Sequence, residues 1–333
     1  VVDAGSNTVR LVVSDATDGV PLPVYTAKWK LRLSEQVGPD GHFGEQATEQ
    51  LVRALRRATE IAGRWGAPEP LAFATAVVRN APDRTEVLRA VAQDTGVRLC
   101  VLPGEMEAEL TFLGVRRWMG WRAGPLAVFD IGGGSFEVAF GRGRMPEFAV
   151  SLPLGAGRLT DEFLGHDGCP SDEELQALRR RVRHQLRDAT ARIRWEHPHT
   201  AVATSRTFQQ LARLCGAAPG RRGPFADRVV RRGELRGAID RLAALPAAER
   251  HTLPGISAPR ARQSLAGAIV GHTAMKLSGV KTVTICPWAL REGILLRYLE
   301  DGADWWSDIE RTHTPQQTVT PLPALPTART PAD

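Results

Sequence analysis

The chain has 333 residues, 43% of them hydrophobic and 24% charged, an ordinary balance for a soluble globular protein but more chain than one hydrophobic core usually uses, so two domains are expected. No apolar run approaches a membrane span and no signal peptide opens the chain. Four scattered cysteines (Cys100, Cys169, Cys215, Cys286) with no C-x-x-C pair exclude a disulfide framework and a zinc pattern, and fit a reducing cytoplasm. The net charge of +6 is carried almost entirely by arginine, since only Lys28, Lys30, Lys276 and Lys281 are lysines. That balance suits nucleic acid or any other polyanion, and suits equally an arginine-rich genome.

The chain has no initiator Met and begins inside what reads as a strand, which implies a trimmed start. Residues 1–13 read as a hairpin, followed by an alternating stretch from Val24 to Leu33. Gln46 to Trp65 is helical, with Leu51, Ala54, Leu55, Ala58, Ile61 and Ala62 on one face and Gly66 and Pro68 closing it. Leu71 to Val78 reads as a buried strand, Asp83 to Asp94 as a helix, and Val97 to Leu102 as a strand. Gly104 then opens a helix whose core face is Met106, Leu110 and Leu113. Strand and helix alternating in this way give an α/β fold.

A second series begins near Pro125 with another hairpin, an alternating Phe148–Leu152 strand and a bend at Gly155 and Gly157. Asp172 to Trp195 is a long amphipathic helix whose apolar stripe runs from Leu175 through Leu178, Val182 and Leu186 to Ile193. Its other faces carry Arg179, Arg180, Arg181, Arg183, Arg187, Arg192 and Arg194. An oligonucleotide-binding stripe would interleave aromatics, and only Trp195 is near, so a solvated face is the better reading and no specific nucleic-acid partner is expected. Thr200–Thr204 is a strand leading into a polar turn and a helix, Val280–Cys286 a last strand, and Leu290–Leu299 a last helix. Beyond Asp301 come Trp305, Trp306 and a tail with five prolines between Pro315 and Pro331, expected to be largely disordered.

The two hairpins align without a gap, Val1–Val13 on Val128–Phe140, offset by 127 residues. Each is an apolar strand ending in Asp-x-Gly (Asp3, Asp130), a small polar turn, and a second alternating strand. The turns Gly5-Ser6-Asn7-Thr8 and Gly132-Gly133-Gly134-Ser135 can aim backbone N–H groups and a hydroxyl at an anion. Ordinary tight hairpins would need the glycines alone. The shared aspartate, the shared hydroxyl and the ungapped repeat point instead to a duplicated architecture with facing phosphate loops. A strand-end aspartate between such loops suits Mg²⁺. Glu105, Glu107 and Glu109 begin the helix after Gly104, and a helix turns by roughly 200° over two residues, so Glu107 points away from the other two. From the residues alone, either a catalytic carboxylate or plain stabilisation of a helix N-terminus accounts for them.

Asp3-x-Gly-Ser-Asn-Thr and Asp130-x-Gly-Gly-Gly-Ser resemble the two phosphate loops of the sugar kinase, actin and heat-shock ATPase superfamily. Within it, the chain is similar to the exopolyphosphatase / guanosine pentaphosphate phosphohydrolase family, in its short actinobacterial form. The segments that carry the likeness are Thr75–Ala81, Gly104–Leu110, Ala203–Thr207, Cys286–Trp288 and Ala289–Gly293. The resemblance covers Val1 to about Leu299. It implies two actin-like (ribonuclease H-like) domains, 1–115 and 116–300, flanking a cleft, with 301–333 as the tail. Longer members add a helical domain with a His-Asp motif, for which this chain ends too soon, and His166-Asp167 reads as a loop coincidence.

By the same resemblance Glu107 is the general base that activates water, and Arg79 contacts substrate phosphate. Arg10, the two turns, Ser205, Arg206 and Thr207 bind phosphate. Asp130 and Glu137, with Asp3, organise Mg²⁺ or another divalent cation. The implied substrate is inorganic polyphosphate or guanosine pentaphosphate; no membrane partner is expected, and a homodimer is expected only by analogy. Three residues depart from the family pattern: Met106 stands where a second glutamate is common, Phe136 where Thr or Ser is, and Ala203 where glycine is. They leave two further readings open, a binding protein that has lost turnover and, since the loops are shared, a sugar-kinase-like phosphotransferase.

Overall fold

In the computed structural model the described residues are 1–15, 19–38, 40–67 and 69–313. The first half runs β1 (Val2–Ala4), β2 (Thr8–Asp15), β3 (Leu22–Lys30), α1 (Leu33–Gln36), α2 (Gly44–Arg64), β4 (Ala72–Ala74), α3 (Ala76–Arg79), α4 (Arg84–Thr95) and β5 (Cys100–Val101). A connecting helix, α5 (Gly104–Met119), leads to β6 (Leu126–Ile131), β7 (Phe136–Gly141), β8 (Phe148–Leu152), α6 (Ala156–Phe163), α7 (Asp172–Glu196), β9 (Thr200–Thr204) and α8 (Ser205–Leu214). Then follow β10 (Val229–Arg231), α9 (Arg232–Ala243), α10 (Ser264–Leu277), β11 (Thr282–Ile285) and α11 (Leu290–His313).

The duplication read from two hairpins extends to whole sheets. The first sheet has the order β3-β2-β1-β4-β5 and the second β10-β11-β9-β6-β7-β8. In each, three antiparallel strands (β1–β3, β6–β8) are followed by parallel additions, β4 and β5 in one half and β9 and β11 in the other. Only β10, antiparallel to β11, lacks a counterpart. The β1–β2 register pairs Asp3 with Arg10, and the β6–β7 register pairs Asp130 with Glu137.

Each half has its own core. Leu51, Ala54, Leu55, Ala58 and Ala62 of α2 are buried with Val2, Val9, Leu11 and Ala72 of the first sheet. In the second, Leu178, Val182 and Leu186 of α7 join Phe129, Phe136 and Val138. The start of α7 is fixed by a capping box: Glu174 N–H donates to Ser171 Oγ at 3.2 Å, and Ser171 N–H to Glu174 Oε2 at 2.7 Å. The nearly all-buried α10 (Leu265, Ala266, Ala268, Ile269, Val270, Ala274, Met275) has a polar stripe no wider than His272 and Lys276, which is why periodicity does not reveal it.

Several boundaries differ from the sequence reading. The Leu71–Val78 strand is only Ala72–Ala74, because Thr75 ends the pairing and Ala76–Arg79 turns into α3. Of Val97–Leu102, only Cys100 and Val101 join the sheet. The domain limits also shift. Phe112 and Val115 of α5 pack under the second sheet with Leu126, Val128 and Val202, while Leu110 packs with Phe73 and Cys100 of the first half. Thus α5 serves both halves rather than ending the first. The expected tail from residue 301 is corrected likewise: α11 breaks at Gly302 (φ +77°) but continues to His313. Trp306 and Ile309 are buried against Phe73, Cys100 and Leu102, so the chain returns to the first half. The remaining expected tail, 314–333, lies outside the described residues.

Where α5 and α11 cross, the backbones nearly touch. A Cβ on Gly114 would sit 2.6 Å from the Ala289 carbonyl oxygen, and one on Gly293 would run into the Leu110 carbonyl. Both positions therefore require glycine. The second half of α11 is anchored by Trp306, whose indole N–H donates to Glu310 at 2.8 Å. Trp306→Ala should destabilise the fold by about 3–5 kcal/mol through lost burial and the cavity left behind. The denaturant midpoint checks this, and a change within experimental error would show that the helix past Gly302 does not dock.

Candidate active site

The two hairpin turns meet across a cleft of about 470 Å³. They are built alike: Gly5 N–H donates to the Thr8 carbonyl at 3.0 Å, and Gly132 N–H to the Ser135 carbonyl at 2.9 Å. Carbonyls of the second turn are taken up by the start of α6, Gly132 O by Ala156 N–H at 3.0 Å and Gly133 O by Gly157 N–H at 2.9 Å. A Cβ added to Gly133 would lie 2.9 Å from Ser6 Cβ, so the turns face each other with no room for a side chain. The N–H groups of Ser6, Asn7, Gly133 and Gly134 have no protein acceptor among the described residues. Such a double nest of free donors is a site for an anion.

The β-ladder determines which side chains accompany the turns. Across the first sheet Asp3, Arg10 and Lys28 stand side by side in register. In the equivalent row of the second sheet stand Asp130, Glu137 and Ser151. One row places a cation opposite the strand-end aspartate; the other places a second carboxylate there. Ser151 Oγ donates to Glu137 at 2.8 Å, and the Ser135 hydroxyl also bonds it. The Ser205 hydroxyl bonds Asp130. Ser205 itself is held at φ +77°, a strained value for a side-chain-bearing residue, at the junction of β9 and α8.

Glu107 enters from the first turns of α5 and lines the same cleft, 5% exposed. Glu105 is exposed and Glu109 half-buried, as the helical rotation requires. Burial, then the nearby Glu137, push the Glu107 carboxyl well above the usual carboxylate range, while the Arg79 guanidinium paired with it pulls the other way. Burial pushes Asp130 up to about 8, with Glu137 adding to it, and burial raises Glu137 as well. Three adjoining carboxyls are thus short of positive charge. Arg291, from the first turn of α11, supplies part of it and pairs with Asp3 at 2.7 Å.

Most residues expected from the sequence line this cleft: Asp3, Gly5, Ser6, Asn7, Thr8, Arg10, Glu107, Asp130, Gly132, Gly133, Gly134, Ser135, Glu137, Ser205 and Arg206. Two lie behind its wall. Arg79 holds Glu107 and donates to the Leu102 carbonyl at 2.8 Å, so it supports the carboxylate rather than facing the opening. Thr207 turns away and accepts a hydrogen bond from Arg260 at 3.5 Å. The cleft also contains Lys28, Arg260 and Arg291, which the sequence reading did not single out. Lys28 was within reach by extending the hairpin register one strand further. Arg260 lies in a single 3₁₀ turn that carries no sequence signal. Of the departures from the family pattern, Phe136 is buried and stacks on Phe129 with ring centroids 6.2 Å apart, Ala203 is buried, and Met106 packs beside Leu110. His166 bonds Glu174 at 2.9 Å, outside the cleft.

The raised carboxyls make a pH-dependent contribution to stability. An acid that ionises near pH 4 in the unfolded chain but only at about 8 when folded stabilises the fold below the first value. That contribution is lost as pH rises from about 4 toward 8. In a chelating buffer, Asp130→Asn should therefore gain in denaturant midpoint relative to the unsubstituted protein between about pH 5 and pH 8. A constant difference across that range would mean Asp130 ionises normally.

The sequence pattern of the Ppx/GppA phosphatase family matches residues 12–301. The chain is 67% identical over 324 residues to an uncharacterised protein of Streptomyces coelicolor, covering 97% of this chain and 96% of that one. It is 46% identical to exopolyphosphatase 1 of Mycobacterium leprae, over 91% of this chain and 90% of the other. Among solved structures, an exopolyphosphatase of Cytophaga hutchinsonii superposes with a TM-score of 0.81 at 22% identity, over 90% of this chain and 97% of that one. The Aquifex aeolicus Ppx/GppA family member superposes with 0.74 at 24%, over 90% and 96%. The two sheets and their cleft are thus the two-domain actin-like fold that the resemblance implied, and the chain belongs to the Ppx/GppA phosphatase family.

Proposed function

We propose that the protein is an exopolyphosphatase: it removes the terminal phosphate of inorganic polyphosphate by transfer to water. The observation that carries this reading is the buried Glu107 carboxylate, fixed by Arg79 on one wall of a cleft formed by two anion-binding turns. The free N–H groups of the turns and the cations Arg10, Lys28, Arg206 and Arg260 hold the chain of phosphates. Glu107 takes a proton from water as the water oxygen bonds to the terminal phosphorus. The anhydride P–O bond breaks, and the shortened chain leaves with the electron pair. A carboxyl raised above its ordinary value is a better base near neutral pH than an ordinary carboxylate. Arg79 keeps the carboxylate in one orientation, which a reaction dependent on positioning requires.

A divalent cation fits the donor set. Asp130 and Glu137 are hard oxygen ligands facing each other across one hairpin; burial raises both carboxyls, and the nearby Glu137 adds to the rise at Asp130. No group of three or more His, Cys, Asp or Glu among the described residues is placed to hold a metal ion, so the donor set proposed is this pair alone. Mg²⁺ usually takes one or two carboxylates and fills its remaining positions with water and substrate phosphate. Asp130 and Glu137 would hold it, and when bound it supplies neutralisation of the phosphate charge.

The known relatives named exopolyphosphatase 1 support polyphosphate as substrate. Guanosine pentaphosphate is the weaker candidate, because no described residue lining the cleft is aromatic, and a base would lack a stacking partner there. Phe136, Ala203 and Met106 all lie outside the lining, which favours turnover over binding alone. With Mg²⁺ present, polyphosphate should give a higher kcat/KM than guanosine pentaphosphate. Glu107→Gln should lower kcat by about 10²–10⁴ with an unchanged circular dichroism spectrum. Absence of phosphate release from polyphosphate by the folded wild-type protein would remove this reading.

A further inference from the structure

The arginine-rich face of α7 is not used by the cleft. Two of its members, Arg179 and Arg183, one helical turn apart, lean over a separate recess of about 270 Å³. The recess is bounded by α9, which contributes Arg236 and Asp240, and by α10, which contributes His272 and Lys276. Its floor is apolar, from Ile239, Ile269 and Leu277. It shares no residue with the active-site cleft.

Three features separate this recess from an ordinary solvated surface. Arg179, Arg183, Arg236 and Lys276 come from three different helices and converge on one concavity, yet none makes an ion pair among the described residues. Like charges at i, i+4 on one helix destabilise it, and Arg179/Arg183 is such a pair. Asp240 is the only carboxylate in the lining and leaves the recess strongly positive. Burial first, then Lys276, Arg232, Arg236 and Arg179, hold the half-buried His272 below its usual ionisation range, in keeping with the positive lining.

We propose that this recess is a second, non-catalytic site for a condensed phosphate group, a run of anhydride-linked phosphates. Guanidinium forks grip phosphate oxygens in pairs, and cations on three sides match several phosphates better than one. The shared chemistry is the phosphate run, carried either by an inorganic chain or by a nucleoside polyphosphate. Through α10 the recess is tied to the catalytic half. The helix begins at Ser264, next to Gln263, which lies beside Gly157 and the second phosphate turn, and His272 and Lys276 follow roughly 12–18 Å along its axis.

Calorimetric titration of the full chain with tripolyphosphate, without divalent cation so that no turnover occurs, tests the site. Wild type should bind one equivalent in the cleft and a second in the recess. The double variant Arg236→Ala/Lys276→Ala should lose the second and keep the first, with phosphate release from a short substrate unchanged. It should also melt higher than wild type in the absence of phosphate, because mutual repulsion is relieved, and tripolyphosphate should raise its melting point less. Arg57→Ala/Arg64→Ala, which removes equal charge from exposed positions of α2, should bind like wild type. Stronger uptake of tripolyphosphate than of guanosine triphosphate in the recess would identify an inorganic chain, and the reverse order a nucleotide. A wild-type isotherm with no second equivalent, or a second equivalent that survives in Arg236→Ala/Lys276→Ala, overturns the proposal.

Discussion

Asp130 and Glu137 stand directly opposite each other on adjacent strands, and the surroundings of the cleft answer to that pair of like charges. Carboxylates facing each other across a ladder repel, and here Glu137 is buried and Asp130 half-buried. The fold tolerates them by giving each a hydroxyl donor, Ser205 for Asp130 and Ser151 with Ser135 for Glu137, and by bringing Arg291 in from a distant helix. The hydroxyls, Arg291 near Asp130 and Arg79 near Glu137 leave the pair under-compensated, and that is the place the proposed divalent cation would take. In the first half the same ladder position holds Arg10 instead. The two equivalent rows share the strand-end aspartate and differ at the next two positions, Arg10 and Lys28 against Glu137 and Ser151, which separates a cation side from a carboxylate side.

That separation is useful only if the halves are held in a fixed relation, and α5 and α11 do this. They cross at Gly114 and Gly293 closely enough that neither glycine can carry a side chain. The start of α5 brings Glu107 to the cleft and the start of α11 brings Arg291. Both groups therefore rest on helices clamped to each other rather than on loops, which suits the proposed role of Glu107 as a base held in one orientation.

The ungapped match of Val1–Val13 on Val128–Phe140 revealed the duplication, the two turns and their aspartates, because these depend on local pattern and strict strand alternation; alternating strands and helices gave the α/β class, and the actin-like fold came through resemblance. Glu107 was legible by helical rotation, though its role came through resemblance, since an acidic first turn has an ordinary explanation. What escaped was set by tertiary context. Leu71–Val78 is apolar but for Thr75, yet only three residues pair and those after Thr75 turn into α3, because burial alone does not separate strand from turn. The tryptophans at 305 and 306 precede a proline-rich stretch and read as tail, but Trp306 fills a gap over the first sheet that no local pattern announces. The stretch holding α9 and α10 went unread because a nearly all-buried helix such as α10 has little amphipathic period. Arg79 was recognised as important, but its position behind Glu107 depends on how α3 turns under α5.

The positive net charge, ambiguous in the sequence, divides in the structure into arginines with different work. Some are structural: Arg116 donates to the Gly124 and Gly141 carbonyls at 2.9 Å, Arg250 to Leu242 at 2.9 Å, and Arg228 gathers the carbonyls of Ala218, Pro219 and Gly223. Others pair on the surface, as Arg142 does with Glu147 and Glu196. A structural arginine satisfies carbonyls that would otherwise be buried without donors, and a paired one cancels its own charge, so neither recruits an anion. Attraction for a polyanion must come from cations that are left over and also converge, as they do in the cleft, at Arg10, Lys28, Arg206 and Arg260, and in the recess between α7, α9 and α10. The chain's total charge is therefore a poor guide to what it binds, and the positions of its unpaired cations are a good one.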